Sequence, residues 1–388
     1  MLDKTSNAPH VVIVGVDIDP TPRTPVELIH DWDDFGHLEA AAAGDGHFRV
    51  SLVQSSWCDE RREVAGIPCH FVRESKPIVR LPNGRGVRAL PIRLCARVRG
   101  LGPDLVHFNG LGFSRELRLL RAFLPKVPVL AQAHTSAMPA GWRRRYFRWG
   151  VEGIDAALFC ARAQGQLFKD SGLLPAGLPV FEAVEVSTLF NSGDQREARE
   201  GTGLRGDPCL FWLGNLDANK DPITVLDAVA QAAFTLPRLR LYMCFRHDPL
   251  LRAVRERISS NPVLAERVEI IGKLPHPAVE AHLRAADFFV QGSHREAAGI
   301  GVIEAFACGT TPLVTDIPSF RWITDQGRYG ALVQPGDSNA LAEVIVAWSQ
   351  RDRATLRREA RARFESDLSF DAMGRQLRDA YSQVMALR

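Results

Sequence analysis

Along the whole chain, short β-branched apolar runs alternate with longer stretches in which apolar residues recur every three or four positions. The short runs have the length and composition of buried strands, and the longer stretches have the period of amphipathic helices. In the first half this pattern predicts strands at 10–16, 48–54, 69–73, 105–108, 129–133, 156–160 and 180–183. Val87, Leu90, Leu94 and Val98 fall at helical spacing with arginines largely elsewhere, which predicts a covering helix over 87–98. From Ser187 to Pro208 the pattern dissolves into polar, glycine-containing sequence. A second series then predicts strands at 209–213, 239–245, 268–271, 288–290, 311–314 and 331–333, and a last helix over 368–387 capped by Ser369 or Asp371.

Strands alternating with helices imply parallel sheets covered on both faces. With 388 residues the chain exceeds one comfortable core. The expected fold class is therefore α/β, with two doubly wound, Rossmann-like domains at 1–190 and 207–368 and the last helix, 369–388, packing back on the first. Two such domains in series place the expected site at the carboxyl ends of strands, in a central cleft.

Composition adds little, at 46% hydrophobic and 24% charged residues, but the distribution of charge is uneven. Residues 1–60 hold 3 Lys/Arg against 11 Asp/Glu, whereas 61–148 hold 18 against 4, a net +14. Such a field attracts anionic partners: a phosphorylated acceptor, an anionic lipid surface or nucleic acid, among which charge does not choose. A merely solvated basic face is the plainer reading. The polar start and the lack of an apolar run near 20 residues argue against export or a membrane span, so a cytoplasmic protein, in peripheral contact with the inner membrane face at most, is expected. Seven scattered cysteines, none in a C-x-x-C pair, suit buried thiols in a reducing compartment.

The densest chemistry lies in Ser293–Gly309, S-H-R-E-A-A-G-I-G-V-I-E-A-F-A-C-G. An apolar strand leads into a turn through Gly299 and Gly301 and then a helix, whose first N–H groups form a site for phosphate. Glu296 and Glu304 bracket this turn with seven residues between them, Glu304 being expected in the first helical turn and Glu296 on the loop. Earlier, Phe211–Pro222 reads as a strand, a turn at Gly214 and a loop presenting Lys220, a charge able to offset that of a diphosphate. Pro103–Gly110 and Ala131–Thr135 end two strands with His107 and His134. Taken singly, a glutamate near a helix start is ordinary dipole chemistry, Lys220 one more exposed lysine, and each histidine structural.

Together these segments resemble the family-4 glycosyltransferases, whose E-x7-E motif, two-domain GT-B fold and retaining, metal-independent chemistry the resemblance then implies. Thr311–Asp316 and Gly330–Asp337 are also similar to that family. The likeness is specific over most of the second half and loose over the first. It implies a nucleotide diphosphate sugar as donor substrate and no further cofactor or metal. It implies that Glu304 binds the donor ribose, that Glu296 contacts the sugar, and that amides at Gly299, Ile300, Gly301 and Val302 hold the distal phosphate. Gly214, Asn215 and Lys220 match the family's diphosphate clamp, G-R-L-D-x-x-K, with asparagine replacing its arginine, so that leaving-group stabilisation rests more on Lys220. Leu274, in Gly272-Lys273-Leu274, matches the segment that binds the nucleobase, and His134 matches a histidine beside the reacting carbon. His107 fits the pattern P-D-x-V-H in a structural role. Ala297 and Ala298, and Arg246–Pro249 in place of a glycine-rich turn, depart from the family and bear on the choice of sugar and base. The acceptor, whether polysaccharide, glycolipid or natural product and whether anionic or lipid-linked, falls to the first half.

Three other readings remain. Asn215 suits a non-catalytic sugar-nucleotide-binding partner subunit. Asp17-Ile18-Asp19 has the form of a D-x-D metal site, as in a metal-dependent glycosyltransferase, although loop solvation accounts for it more simply. Trp142–Trp149 interleaves arginines with aromatics in the manner of single-strand binders, but Trp142, Tyr146 and Trp149 form one helical stripe, which fits a packed helix or a lipid surface as well and leaves nucleic acid the weaker reading. A dehydrogenase is disfavoured because Val14–Asp19 lacks G-x-G-x-x-G.

Overall fold

The computed structural model describes residues 8–18, 24–25, 47–64, 66–74, 78–80 and 86–387. The chain forms two compact units, one of Met1–Val186 with Phe370–Arg388 and one of Ser187–Ser369. Among the described residues no helix is long and apolar enough to cross a membrane.

The first unit runs β1 (His10–Gly15), β2 (Arg49–Ser56), β3 (Glu60–Val64), β4 (Ile67–Arg73), the small antiparallel pair β5 (Ile78–Arg80) and β6 (Gly86–Arg88), α1 (Ile92–Gly100), β7 (Leu105–Asn109), α2 (Ser114–Phe123), β8 (Val129–Gln132), α3 (Trp142–Val151), β9 (Ala156–Phe159), α4 (Arg162–Asp170) and β10 (Val180–Glu182). Its main sheet has the order β10-β9-β8-β7-β1-β2-β4-β3, parallel except at β3. Successive strand residues face opposite sides, and both sides are covered. On one, Val12, Val14, Val106 and Phe108 pack with Leu94, Leu117, Phe147 and Phe168 of the four helices. The edge strand β3, Glu-Arg-Arg-Glu-Val, is largely exposed and charged, so no apolar alternation marks it in sequence.

The expected helix over 87–98 is corrected. Val87 lies in β6, and the helix begins only at Ile92, after Pro91. Proline disfavours helical backbone at the residue before it, which turns Leu90 out of the helix and leaves it exposed, while Leu94, Cys95 and Val98 carry the buried stripe.

The second unit runs α5 (Gln195–Thr202), β11 (Cys209–Gly214), α6 (Pro222–Ala232), β12 (Arg240–Phe245), α7 (Leu251–Ser259), α8 (Pro262–Arg267), β13 (Val268–Gly272), α9 (His276–Ala285), β14 (Phe288–Gln291), α10 (Ile300–Ala307), β15 (Thr311–Thr315), α11 (Pro318–Ile323), β16 (Ala331–Val333), α12 (Ser338–Ser349), α13 (Arg353–Arg363) and a π-turn at Phe364–Leu368. All six strands are parallel, in the order β13-β12-β11-β14-β15-β16. Leu210, Trp212, Met243 and Val290 face a core built with α6, α7 and α12, while Phe211 and Phe289 face α9 and α10.

The polar stretch at 187–208, where the sequence places the domain boundary, opens the second unit at Ser187 and contains α5. This helix buries no residue and so has no apolar stripe to read. It is held instead by polar contacts: Gln195 Nε2 donates to Ala285 O, Ala286 O and Asp287 Oδ1, and Arg199 pairs with Asp287 at 2.8 Å.

The last helix, α14 (Phe370–Ala386), belongs to the first unit. It packs on the sheet face opposite α1–α4: His107, between Val106 and Phe108 on β7, is fully buried with its Nδ1 2.8 Å from the Tyr381 hydroxyl. Burial lowers the His107 pKa to about 4, so the ring is neutral at ordinary pH. Burial likewise raises the thiols of Cys69 and Cys244 to about 11 and that of Cys95 to about 12.

Candidate functional site

In the second sheet the strand order reverses direction between β11 and β14, and an open parallel sheet binds ligands beyond the carboxyl ends of its strands at such a point. The loops leaving these two strands carry most of the residues singled out in the sequence. After β11 the chain turns at Gly214, runs through Asn215 and Lys220, and enters α6 with Asp221 as its cap, Oδ1 accepting from Thr224 N. After β14 it passes Glu296 and enters α10 with Gly299 as its cap.

The two loops are stitched together. His294 N donates to Asn219 O at 2.8 Å, Asn219 Nδ2 donates to Arg295 O at 2.9 Å, and the His294 ring lies 3.1 Å from Asp221 Oδ2. Gly292 permits this approach, since a Cβ there would stand 2.8 Å from Asp221 O. Across the seam Lys220 Nζ meets Glu296 Oε1 at 2.5 Å, with the two side chains only 19% and 13% exposed. Gly214 makes room for this lysine, because a Cβ there would touch its Cγ and Cδ at 3.4 Å and Gln291 Nε2 at 3.3 Å. Gln291 in turn donates to Leu213 O at 2.8 Å and fixes the end of β11.

The helix start needs its glycines. Gly299 has φ +69°, a left-handed value, and a Cβ on it would fall 2.7 Å from a Phe320 ring carbon. Gly301 lets α10 lie against Phe289, whose Cζ would be 3.3 Å from a Cβ, and beside Leu213. The amides of the first turn of α10 thus open at the same strand ends as Lys220 and Glu296.

Glu304 is placed one turn deeper than expected: α10 has no acidic residue in its first turn. It is 5% exposed, and its Oε1 lies 2.9 Å from His276 Nε2 at the start of α9. The His276 ring packs on Phe190 with centroids 4.5 Å apart. Leu274 follows β13, whose last residue Gly272 has φ +85°, and its backbone contacts the Cys244 thiol, which also feels the charge of Glu304. Gln291 and His276 escaped the sequence reading, since a glutamine ending an apolar strand and a histidine after a proline carry no pattern. Asn215 stands at the turn, its carbonyl accepting from Asp217 N at 2.9 Å.

The first unit has its own switch point, between β1 and β7. A cavity of about 1220 Å³ lies there, walled by the segments after β1 (Gly15–Asp17), after β7 (Asn109–Ser114) and after β8 (Ala133–Ala140), and by one side of α3. His134 is in its wall, and its Nδ1 is 2.7 Å from Oε1 of Glu185, which is 8% exposed. The wall residues Asn109, Ser114 and Glu185 each carry a buried polar atom with no hydrogen-bond partner among the described residues. Gln54 closes the floor by lying over Gly15, and its Nε2 donates to Asp17 O at 2.6 Å. Of the D-x-D pair, Asp17 lines this cavity and Asp19 lies outside the described residues.

Comparison with known proteins agrees with this architecture. Residues 194–365, nearly the whole second unit, match the family Glycosyl transferases group 1. The chain is 24% identical over 290 residues to the GDP-mannose:cellobiosyl-diphosphopolyprenol alpha-mannosyltransferase of Xanthomonas oryzae pv. oryzae, covering 72% of this chain and 73% of that protein. It is 31% identical over 168 residues to D-inositol 3-phosphate glycosyltransferase 1 of Catenulispora acidiphila, covering 41% of this chain and 40% of the other. The structure of HepE from Anabaena in complex with UDP superposes with a TM-score of 0.69 over 97% of this chain and 100% of that one, at 16% identity. The protein is therefore a glycosyltransferase of the GT-B fold, with a second unit that is similar over residues 194–365 to Glycosyl transferases group 1.

Proposed function

We propose that this enzyme is a retaining, metal-independent transferase of the family-4 kind, which takes a sugar from a nucleotide diphosphate donor held by the second unit and passes it to an acceptor held by the first. The observation that carries the reading is the meeting of Lys220 and Glu296 at 2.5 Å, beside the glycine-built start of α10, at the switch point of a parallel sheet. The amides of Gly299, Ile300 and Gly301 and the Lys220 ammonium receive the diphosphate, while the Val302 amide donates to Gly299 O at 2.9 Å and closes the first turn behind them. Glu304, oriented by His276, accepts from the ribose hydroxyls, and Glu296 orients the sugar. Leu274 lies against the base.

As the bond from the anomeric carbon to the phosphate oxygen breaks, positive charge spreads over the sugar ring and negative charge gathers on the leaving diphosphate. Fixed positive charge at that oxygen is then the largest catalytic contribution, and with Asn215 in the clamp it rests on Lys220 and the helix amides. The acceptor oxygen bonds to the anomeric carbon on the same face, and its proton passes to the departing phosphate oxygen. The unit 1 cavity suits a hydroxyl-bearing acceptor, because hydroxyls match the unmet polar atoms of Asn109, Ser114 and Glu185. His134, held by Glu185, is the titratable group of that wall nearest in kind to the family's sugar-side histidine.

The donor of the Xanthomonas relative makes GDP-mannose the first compound to test, and the UDP of the HepE complex makes UDP-glucose the second. The experiment is a transfer assay with each donor, in the presence and absence of EDTA, followed by NMR of the product's anomeric proton. Turnover that survives EDTA with retained configuration supports the reading; inversion, or loss of activity with EDTA, contradicts it.

A further inference from the structure

The helix α3 contains four arginines and no acidic residue in Trp-Arg-Arg-Arg-Tyr-Phe-Arg-Trp-Gly-Val. It is anchored by one side only. Phe147, Gly150 and Val151 are buried, and Gly150 lets α3 press on α2, since a Cβ there would lie 2.4 Å from Ser114 Cβ. The outward side is not what a solvated helix presents. Trp142 is 72% exposed and Trp149 41% exposed, and with Tyr146 between them they form a column with centroid spacings of 6.1 and 5.8 Å. Arginines flank the column: Arg143 lies 5.9 Å from the Trp142 ring, Arg118 of α2 lies 5.5 Å from the Trp149 ring, and Arg145 and Arg148 are exposed. Trp142, Arg143 and Tyr146 also belong to the wall of the unit 1 cavity, so this face borders the cavity.

Exposed tryptophans cost free energy in water and are favoured at the level of lipid headgroups, where an apolar ring body meets a polar edge. A row of them on one helix face, with arginines beside it to meet anionic headgroups, is the composition of a helix lying in a membrane interface. Single-stranded nucleic acid fits less well, because Tyr146 and Trp149 stack on each other and guanidinium groups lie over Trp142 and Trp149, so the rings do not stand apart as platforms for bases.

We infer that the outward face of α3 docks the first unit on an anionic lipid bilayer, with the cavity mouth at the headgroup layer, and that the acceptor is an amphiphile carried in that bilayer. The docking stands on α3 alone; the lipid-borne acceptor rests on the reading of the cavity as the acceptor site.

The test is flotation of the full chain with vesicles of phosphatidylcholine alone and of phosphatidylcholine with phosphatidylglycerol, in parallel with calorimetric titration of GDP and UDP. The variants are Trp149→Ala and the double replacement Arg145→Gln/Arg148→Gln, none of which lines the cavity. The wild type should float with the anionic vesicles only. At about 5-fold per arginine near a charged surface, the double variant should bind about 30-fold more weakly, and Trp149→Ala should bind more weakly as well. The circular dichroism spectrum and thermal midpoint should be unchanged in both, which shows that they fold, and unchanged nucleotide binding by the second unit separates this proposal from the donor reading. No flotation of the wild type, equal binding to neutral vesicles, variants that float like the wild type, or an RNA oligonucleotide that displaces the vesicles at lower concentration than it needs to meet a mere counter-ion effect would each overturn the docking. Failure of nucleotide binding with flotation intact would leave the docking standing and sink the donor reading.

Discussion

Lys220 and Glu296 are 76 positions apart in the chain, yet Nζ and Oε1 lie 2.5 Å apart, at a seam where two glycine-bearing loops leave adjacent strands. Neither side chain is well solvated, so each depends on the other for neutralisation. Under the proposed function, a donor diphosphate would meet a lysine already fixed in position, and a donor sugar a carboxylate already aimed.

Replacing Lys220 by alanine should therefore raise the barrier to transfer by about 2 to 4 kcal/mol, the range for a lost donor at a developing oxyanion. Comparing kcat of the wild type and the variant at saturating donor tests this; an unchanged kcat removes the lysine from the clamp.

The same pair makes a statement about stability. Either single replacement, Lys220→Met or Glu296→Leu, removes one charge and leaves the opposite charge partly buried without its counter-charge in this pair, whereas the double replacement removes both charges. Denaturant titration should show the double variant less destabilised than the sum of the singles. Strict additivity would mean that the pair is not coupled in solution.

Glu304→Gln keeps the shape of the side chain but removes its charge. Nucleotide affinity should fall about 10-fold, the loss expected for a hydrogen bond to a charged group. The corresponding 2′,3′-dideoxy nucleotide should bind the wild type and the variant alike. A variant that still discriminates between the two nucleotides would place the ribose elsewhere.

His107 predicts a pH dependence of the first unit. Its pKa is about 4 in the fold against 6.5 when exposed, so the unfolded chain binds the extra proton first as pH falls. The stabilisation from keeping this ring neutral is complete above pH 6.5 and is lost progressively as pH falls toward 4, by about 3 kcal/mol in all. His107→Gln should flatten that part of the wild-type profile of unfolding free energy against pH. Parallel profiles for the two proteins would show that other groups govern the acid limb.

Much of this was legible in the sequence because the two sheets are parallel and buried on both faces, so their strands are short apolar runs with little ambiguity. Thr311–Thr315 and Ala331–Val333 are of this kind. What escaped notice lacks an apolar signature. The helix α5 is held by Gln195 and Arg199, not by a stripe, and β3 is a charged edge. The helix start at Ile92 is set by Pro91 against the apolar spacing that continues back to Val87. In the site, the glycines and charges after β11 and β14 could be read from their order along the chain. Their polar supports could not: Gln291 under Leu213, His276 on Glu304 and Glu185 on His134 join residues 78, 28 and 51 positions apart. No local pattern records such pairings.

The proposed function requires a nucleoside diphosphate to bind the second unit where α10 begins, beside Lys220. The decisive experiment is calorimetric titration of GDP and UDP into the wild type and Lys220→Ala. One nucleotide should bind saturably at a single site, about 10- to 100-fold more weakly after the substitution. Equal affinity in the two proteins, or no binding of either nucleotide to the wild type, contradicts it.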